Sequence, residues 1–165
     1  MNFDKYVCEY PKESYEDKRG HLNVLFEDKD LGVSLKESFS KKNVFRGMHI
    51  QRPPFSQIKH IQVLSGAILD FILILDFESP DFGKIFSKKI KAGNSTFVIP
   101  NYCAHGFLVL DQSVVRYLCM GKYSEMNELA IEGVPPTIEK VIISKKDSLA
   151  ITKDEALDIF KTVKW

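Results

Sequence analysis

Between Val44 and Met120 the chain passes through seven short stretches rich in Val, Ile, Leu, Phe and Tyr, each closed by Gly, Pro, Asn, Asp or Ser. Branched and aromatic side chains suit a half-buried pleated surface, and the closing residues supply the backbone angles that tight connections need. The stretches therefore read as strands. They cover residues 44–50, 59–64, 67–76, 83–90, 95–99, 106–110 and 114–120, within a β-rich region extending from Leu22 to Tyr123. Seven or more short strands predict an all-β fold, a sandwich or a barrel. Ser65-Gly66, Ser79-Pro80-Asp81, Ala92-Gly93-Asn94 and Asp111-Gln112-Ser113 each fall between two apolar runs. Turn chemistry at those places predicts antiparallel hairpins. Near the end the period changes. Thr152-Lys153-Asp154-Glu155 is a capping box followed by Ala156, Leu157, Phe160 and Val163 at helical spacing, which predicts a closing amphipathic helix.

Size and charge narrow the function. A chain of 165 residues is sized for one domain spanning residues 1–165. Hydrophobic residues at 44% and charged residues at 27% are ordinary globular chemistry, which excludes disordered, fibrous and membrane-spanning classes. Lys plus Arg number 23 against 22 Asp plus Glu, so no overall field gathers nucleic acid or anionic lipid, although a local basic cleft is compatible with the balance. Cys8, Cys103 and Cys119 are too few and scattered for a disulfide framework or a four-ligand zinc site, and suit a reducing cytoplasm. The opening Met1-Asn2-Phe3-Asp4-Lys5-Tyr6 lacks the basic and apolar regions of a signal peptide. The most apolar segment, residues 67–77, is interrupted by Asp70 and is too short to span a bilayer. A cytoplasmic protein with no nucleic-acid or membrane partner is expected.

A few polar residues sit where packing does not call for them. Phe45-Arg46-Gly47-Met48-His49-Ile50-Gln51 sets an arginine and a histidine in an apolar strand. Alternation places Arg46, Met48 and Ile50 on one face and His49 and Gln51 on the other, unless a bulge at Gly47 shifts the phase. Judged alone, His49 reads as a core or edge histidine satisfied by one backbone bond. One of Lys59 and His60 must point inward if their strand lines a core; judged alone, Lys59 reads as a solvated strand start. His105 ends the turn that leads into another apolar strand and reads as a turn histidine. Tyr117 lies mid-strand, as packing tyrosines with a hydrogen-bonded tip do, and Tyr123 follows Gly121. Ile143-Ser144-Lys145-Lys146-Asp147 repeats the Ser-x-x-Asp pattern of a capped helix start, so Asp147 by itself reads as a cap. What sets these residues apart is their combined order and spacing.

The run Phe45-Arg46-Gly47-Met48-His49-Ile50-Gln51, then Lys59, Asp70, Gly83-Lys84, Ile99-Pro100, Ala104-His105-Gly106-Phe107-Leu108-Val109 and Ile143-Ser144-Lys145-Lys146-Asp147, resembles the dTDP-4-dehydrorhamnose 3,5-epimerase family. The similarity extends from about Asp17 to Leu149. It implies a cupin-type jelly-roll barrel of antiparallel strands with a short C-terminal helix. It also implies a homodimer that epimerises a nucleotide-linked 4-keto-6-deoxy sugar, hexose or heptose, at carbon 3, carbon 5 or both, for surface polysaccharides such as capsule or lipopolysaccharide. Neither metal nor organic cofactor is implied. On this resemblance His49 corresponds to the catalytic base and Asp147 to the carboxylate that orients it. Lys59 corresponds to the lysine beside the ketone oxygen, and Tyr117 to the acid on the opposite face. Arg46 corresponds to an arginine on the nucleotide's phosphates, Arg19 to one reaching substrate from the neighbouring subunit, and His105 to a pocket histidine. Gln51, Lys122 and Tyr123 complete the implied substrate contacts.

The chemistry suits that assignment. A hydrogen next to a ketone is acidic because its carbanion spreads onto the ketone oxygen, so the site needs a base at the carbon and a cation at the oxygen. Inversion also needs a proton returned from the other face, which a phenol supplies. The chain departs from the family in places. Lys122-Tyr123 stands where many members have two adjacent tyrosines, and Val24 where an acidic residue is common, with Glu27 nearby. The Asp111-Gln112-Ser113 turn is shorter, and a slide of one place offers Leu118 instead of Tyr117. Both dTDP- and GDP-linked substrates stay open. Three other readings compete. A metal-dependent cupin needs a His-x-His pair, of which Gly47-Met48-His49 holds one member. A nucleotide-sugar 3,4-ketoisomerase shares the barrel, and a non-catalytic sugar-binding cupin would have no use for an acid and a base on opposite faces.

Overall fold

The computed structural model describes residues 10–133 and 140–165; Cys8 and the opening segment read for a signal peptide lie outside them. Nine strands follow one another: β1 Glu13–Asp17, β2 Gly20–Asp28, β3 Val33–Ser40, β4 Phe45–Gln51, β5 Ile58–Ile74, β6 Ile85–Lys91, β7 Phe97–Ile99, β8 Cys103–Met120 and β9 Glu128–Ile131, closed by helix α1, Lys153–Phe160. All the strand ladders are antiparallel. This is the expected cupin-like architecture, a curled β-sheet with a short C-terminal helix.

Three of the four predicted hairpins are not hairpins. Ser65-Gly66 lies inside the 17-residue β5, and Asp111-Gln112-Ser113 inside the 18-residue β8. The two long strands pair along their whole length, with register shifts between Val63 and Ile68. Gly66 adopts φ 78°, and a Cβ there would run into the Gln112 carbonyl. The Ser65 hydroxyl accepts from the Val114 N–H and the Ser113 hydroxyl donates to the Ala67 carbonyl, so the polar residues that look like turn chemistry bridge two bulged strands. Ser79-Pro80-Asp81 does join the paired strands β5 and β6, whereas Ala92-Gly93-Asn94 leads from β6 to β7, and each of these pairs with β5 instead of with the other.

These bends give the sheet two walls. The second half of β8 pairs with β3 and the first half of β5, with β2, β1 and β7 beyond. The first half of β8 pairs with β4 and the second half of β5, with β9 and β6 outside. Apolar side chains fix both. Met48, Ile50, Leu73, Ile131, Ala156 and Phe160 belong to one buried cluster, which seats α1 against the β4 wall. Ile61, Ile68, Phe107, Val109 and Val115 lead a second. The capping box at α1 forms as expected: Thr152 Oγ1 accepts from the Glu155 N–H, and Glu155 accepts from the Thr152 N–H. Among the described residues no helix is long and apolar enough to cross a membrane.

Candidate active site

One extra residue on β4 decides which way its side chains point. Arg46 lies opposite Phe107 of β8, and His49 opposite His105. The interval from Arg46 to His49 is one residue longer than its partner interval, which is a β-bulge at Gly47-Met48. A single added residue flips the faces of everything after it. Arg46 and His49, on opposite faces of an unbroken strand, therefore both line a cavity of 330 Å³, while Met48 is fully buried in the core. The bulge anticipated at Gly47 is what brings them together.

Lys59 from β5, and Tyr117 and Cys119 from β8, face the same cavity. Leu118, between the latter two, does not line it, so strand alternation selects Tyr117 over its neighbour. Tyr117 pairs with Lys36 and Ile61, and Lys59 with Cys119, on the wall opposite β4. Imidazole and phenol thus reach the cavity from different walls. The Tyr117 hydroxyl shares a 2.9 Å hydrogen bond with Ser38 Oγ. Burial pushes that phenol up to about 12, against the opposing pull of Arg46, so it is a protonated acid at neutral pH. Lys59 Nζ donates to the His49 carbonyl at 2.9 Å, and burial lowers its ammonium from the ordinary value.

His49 is held at both nitrogens. Nε2 lies 2.7 Å from Asp147 Oδ1, and Nδ1 lies 3.2 Å from Glu128 Oε1. Burial disfavours the charged ring, but the two carboxylates outweigh it and raise His49 above its ordinary 6.5. Asp147 serves as the local cap and as the histidine's partner at once. Its Oδ2 accepts from the Ser144 hydroxyl at 2.7 Å and N–H at 3.3 Å, its own N–H donates to Ser144 Oγ at 3.0 Å, and its Oδ1 is left for His49. Arg19 Nη1 reaches the same Oδ2 at 3.3 Å, within its own chain. Burial alone would raise this carboxyl; His49, Ser144 and Arg19 hold it at about 2. Gly47 makes the approach possible, because a Cβ there would fall on the Asp147 carboxylate.

The remaining expected contacts surround this centre. Arg46 Nε donates to Ser40 Oγ at 2.8 Å and its Nη2 to the His21 and Phe39 carbonyls at 3.3 Å; burial lowers its guanidinium from the ordinary value. His105 lines the cavity with Nε2 2.7 Å from buried Asp70. Gln51 Oε1 accepts from the Ser124 N–H at 3.0 Å, while its buried amide nitrogen has no partner among the described residues. Lys122 lines an adjoining cavity of 560 Å³ with Tyr15, Glu27 and Phe55; Lys36 and Tyr123 border both cavities. Glu128, Ser38, Cys119 and Lys146 were not legible as site residues. Glu128 opens β9, outside the β-rich region read from the sequence, and only the Gln51–Glu128 register places it over the histidine. Among the described residues no three His, Cys, Asp or Glu side chains are arranged to hold a metal ion.

A model of the dTDP-4-dehydrorhamnose 3,5-epimerase family matches residues 5–155. A Mycobacterium tuberculosis dTDP-4-dehydrorhamnose 3,5-epimerase is 35% identical over 103 residues, covering 61% of this chain and 51% of that protein, about half its length. The crystal structure of a Sulfolobus tokodaii dTDP-4-dehydrorhamnose 3,5-epimerase superposes with a TM-score of 0.70 at 34% identity, over 86% of this chain and 87% of that one. A Legionella pneumophila dTDP-6-deoxy-D-glucose-3,5-epimerase, solved with dTDP-4-keto-L-rhamnose, superposes with a TM-score of 0.68 at 29% identity, over 87% and 85%.

Proposed function

This chain belongs to the dTDP-4-dehydrorhamnose 3,5-epimerase family, and from that premise we propose that it inverts carbon 3, carbon 5 or both of a dTDP-linked 4-keto-6-deoxyhexose. The observation that carries the reading is the convergence of His49, Tyr117 and Lys59 on one cavity, with the first two from different walls.

Neutral His49 takes the proton from the carbon next to the ketone. The electron pair left behind moves onto the ketone oxygen, where the Lys59 ammonium stabilises the enolate. Because burial loosens the Lys59 proton, that ammonium is a stronger donor to the developing charge. Tyr117 then returns a proton from the opposite face. Asp147 is the positioning carboxylate: it keeps the hydrogen of neutral His49 on Nε2 and the lone pair on Nδ1, and it balances the imidazolium as that forms. Arg46 and Arg19 are assigned to the diphosphate, His105 and Gln51 to the sugar, and Lys122 and Tyr123 to the nucleoside in the adjoining cavity. The dTDP preference is supported by the ligand of the Legionella structure. We assign the working form to a homodimer in the cytoplasm, on the family resemblance.

The test is incubation in heavy water with dTDP- and GDP-linked 4-keto-6-deoxyhexoses and a GDP-linked 4-keto-heptose, counting deuterium by mass spectrometry. The dTDP sugar is expected to gain one atom for each inverted centre, and the His49→Asn protein none. No gain from the dTDP sugar overturns the reading; gain from a GDP sugar alone transfers it to that nucleotide; a ketone moved to carbon 3 identifies a ketoisomerase.

A further inference from the structure

A base needs a free lone pair, yet each ring nitrogen of His49 faces a carboxylate. The two carboxylates are held differently. The Asp147 side chain is 4% exposed, and Ser144 and Arg19 fasten its other oxygen. The Glu128 side chain is 13% exposed, and its other oxygen is held by the Tyr123 hydroxyl and Lys146, residues that stand nearly half in solvent. The Glu128 bond can open without dismantling a turn; the Asp147 bond cannot.

We propose that Glu128 is a displaceable partner of the base: in the empty site it bonds Nδ1 and keeps His49 as the imidazolium, and the sugar, entering where that carboxylate stands, frees the lone pair. This inference rests on the reading of His49 as the base. As the bond opens, the Nδ1 proton passes to water and neutral His49 keeps its hydrogen on Nε2, facing Asp147. The freed Nδ1 pair then accepts the carbon-bound proton, and when product leaves Glu128 returns to Nδ1–H. The other charges that face the ring are Arg19 behind Asp147, Lys146 and Tyr123 behind Glu128, Lys59 on the His49 carbonyl, Arg46 on the same strand and His105 on the adjoining one. Glu128 itself lies well below the usual carboxylate range: burial opposes its charge, and His49 and Lys146 outweigh burial.

The experiment is a proton NMR titration of the His49 ring in wild type and Glu128→Gln. Each protein is read empty and saturated with dTDP-glucose, which lacks the 4-keto group and cannot react. Empty wild type is expected to titrate above 6.5, and Glu128→Gln about one unit lower, a tenfold loss of proton affinity. Saturation with dTDP-glucose is expected to bring wild type to the Glu128→Gln value, and the acidic limb of kcat/KM moves down by the same amount in the variant. Glutamine keeps the outline and can accept from Tyr123, so a purely structural role leaves the midpoint unmoved. Equal midpoints in the two empty proteins overturn the proposal, as does a wild-type midpoint that stays in place while other pocket resonances shift with dTDP-glucose. If dTDP-glucose shifts nothing, the nucleotide-sugar reading fails, and the empty-state comparison still decides whether Glu128 holds the proton. Should Glu128→Gln not fold, Glu128→Asp, whose shorter reach leaves Nδ1 but keeps the charge in the site, is expected to give a smaller drop in the same direction, and an unmoved midpoint overturns the proposal.

Discussion

In Asp147→Asn the side chain keeps its outline and loses its charge, and neither orientation of the amide satisfies its neighbours. With the oxygen toward His49 Nε2, the NH2 group meets the Ser144 N–H and Arg19, all of them donors. With the NH2 toward His49, the ring must carry its hydrogen on Nδ1, and the lone pair needed for abstraction points the wrong way. In both, the imidazolium formed as the carbon loses its proton has no countercharge at Nε2. An ion pair about 4 Å between charge centres is worth about 4 kcal/mol at an effective dielectric near 20, and Glu128 recovers part of it. The barrier is expected to rise by about 2–4 kcal/mol, a loss in kcat of roughly 30- to 1,000-fold, with KM changed far less. The assay is deuterium uptake from heavy water into the dTDP-linked 4-keto sugar, followed by mass spectrometry across pH. Turnover within about threefold of wild type, under 1 kcal/mol of barrier, would show that Asp147 is only the cap of its turn and would remove it from the proton-transfer apparatus.

Tyr117→Phe is expected to let deuterium wash into recovered substrate while net inversion falls by about a hundredfold, since His49 still removes and returns protons on its own face; loss of both together would place the returning acid elsewhere. Gly47→Ala puts a methyl against the Asp147 carboxylate and is expected to destabilise the fold by about 1–3 kcal/mol and to lower kcat. A melting temperature and turnover equal to wild type would show that Asp147 shifts freely. The ion cluster also predicts a stability window. Asp147, depressed from 3.8 to about 2, contributes on the order of 2 kcal/mol above its unfolded value, lost as pH falls toward 2. His49, raised above 6.5, contributes below 6.5 and loses its share as pH rises through its folded value. Urea midpoints of wild type and Asp147→Asn are therefore expected to differ most between about pH 4 and 6.5, and a gap that stays constant down to pH 2 would refute the linkage.

The strand-forming runs between Val44 and Met120, the closing helix and its capping box were legible because each depends on neighbours a few residues away, while β1 and β9 lie outside the β-rich region read from the sequence. Order and spacing of Arg46, His49, Lys59, His105 and Asp147 were enough to identify the family, and through it the residues proposed for the site. Local signals failed where a partner strand decides the outcome. Ser65-Gly66 and Asp111-Gln112-Ser113 have turn chemistry, but β5 and β8 lie alongside each other and make bulges of them. Whether Arg46 and His49 share a face depends on the residue that β8 does not match. Asp147 carries the pattern of a cap, and its second bond reaches a histidine 98 positions away, while Glu128 carries no pattern at all. Backbone preference is a short-range property that residue type encodes directly. Which side chains meet in a cavity is set by the register of strands distant in the chain, and only the folded sheet determines that register.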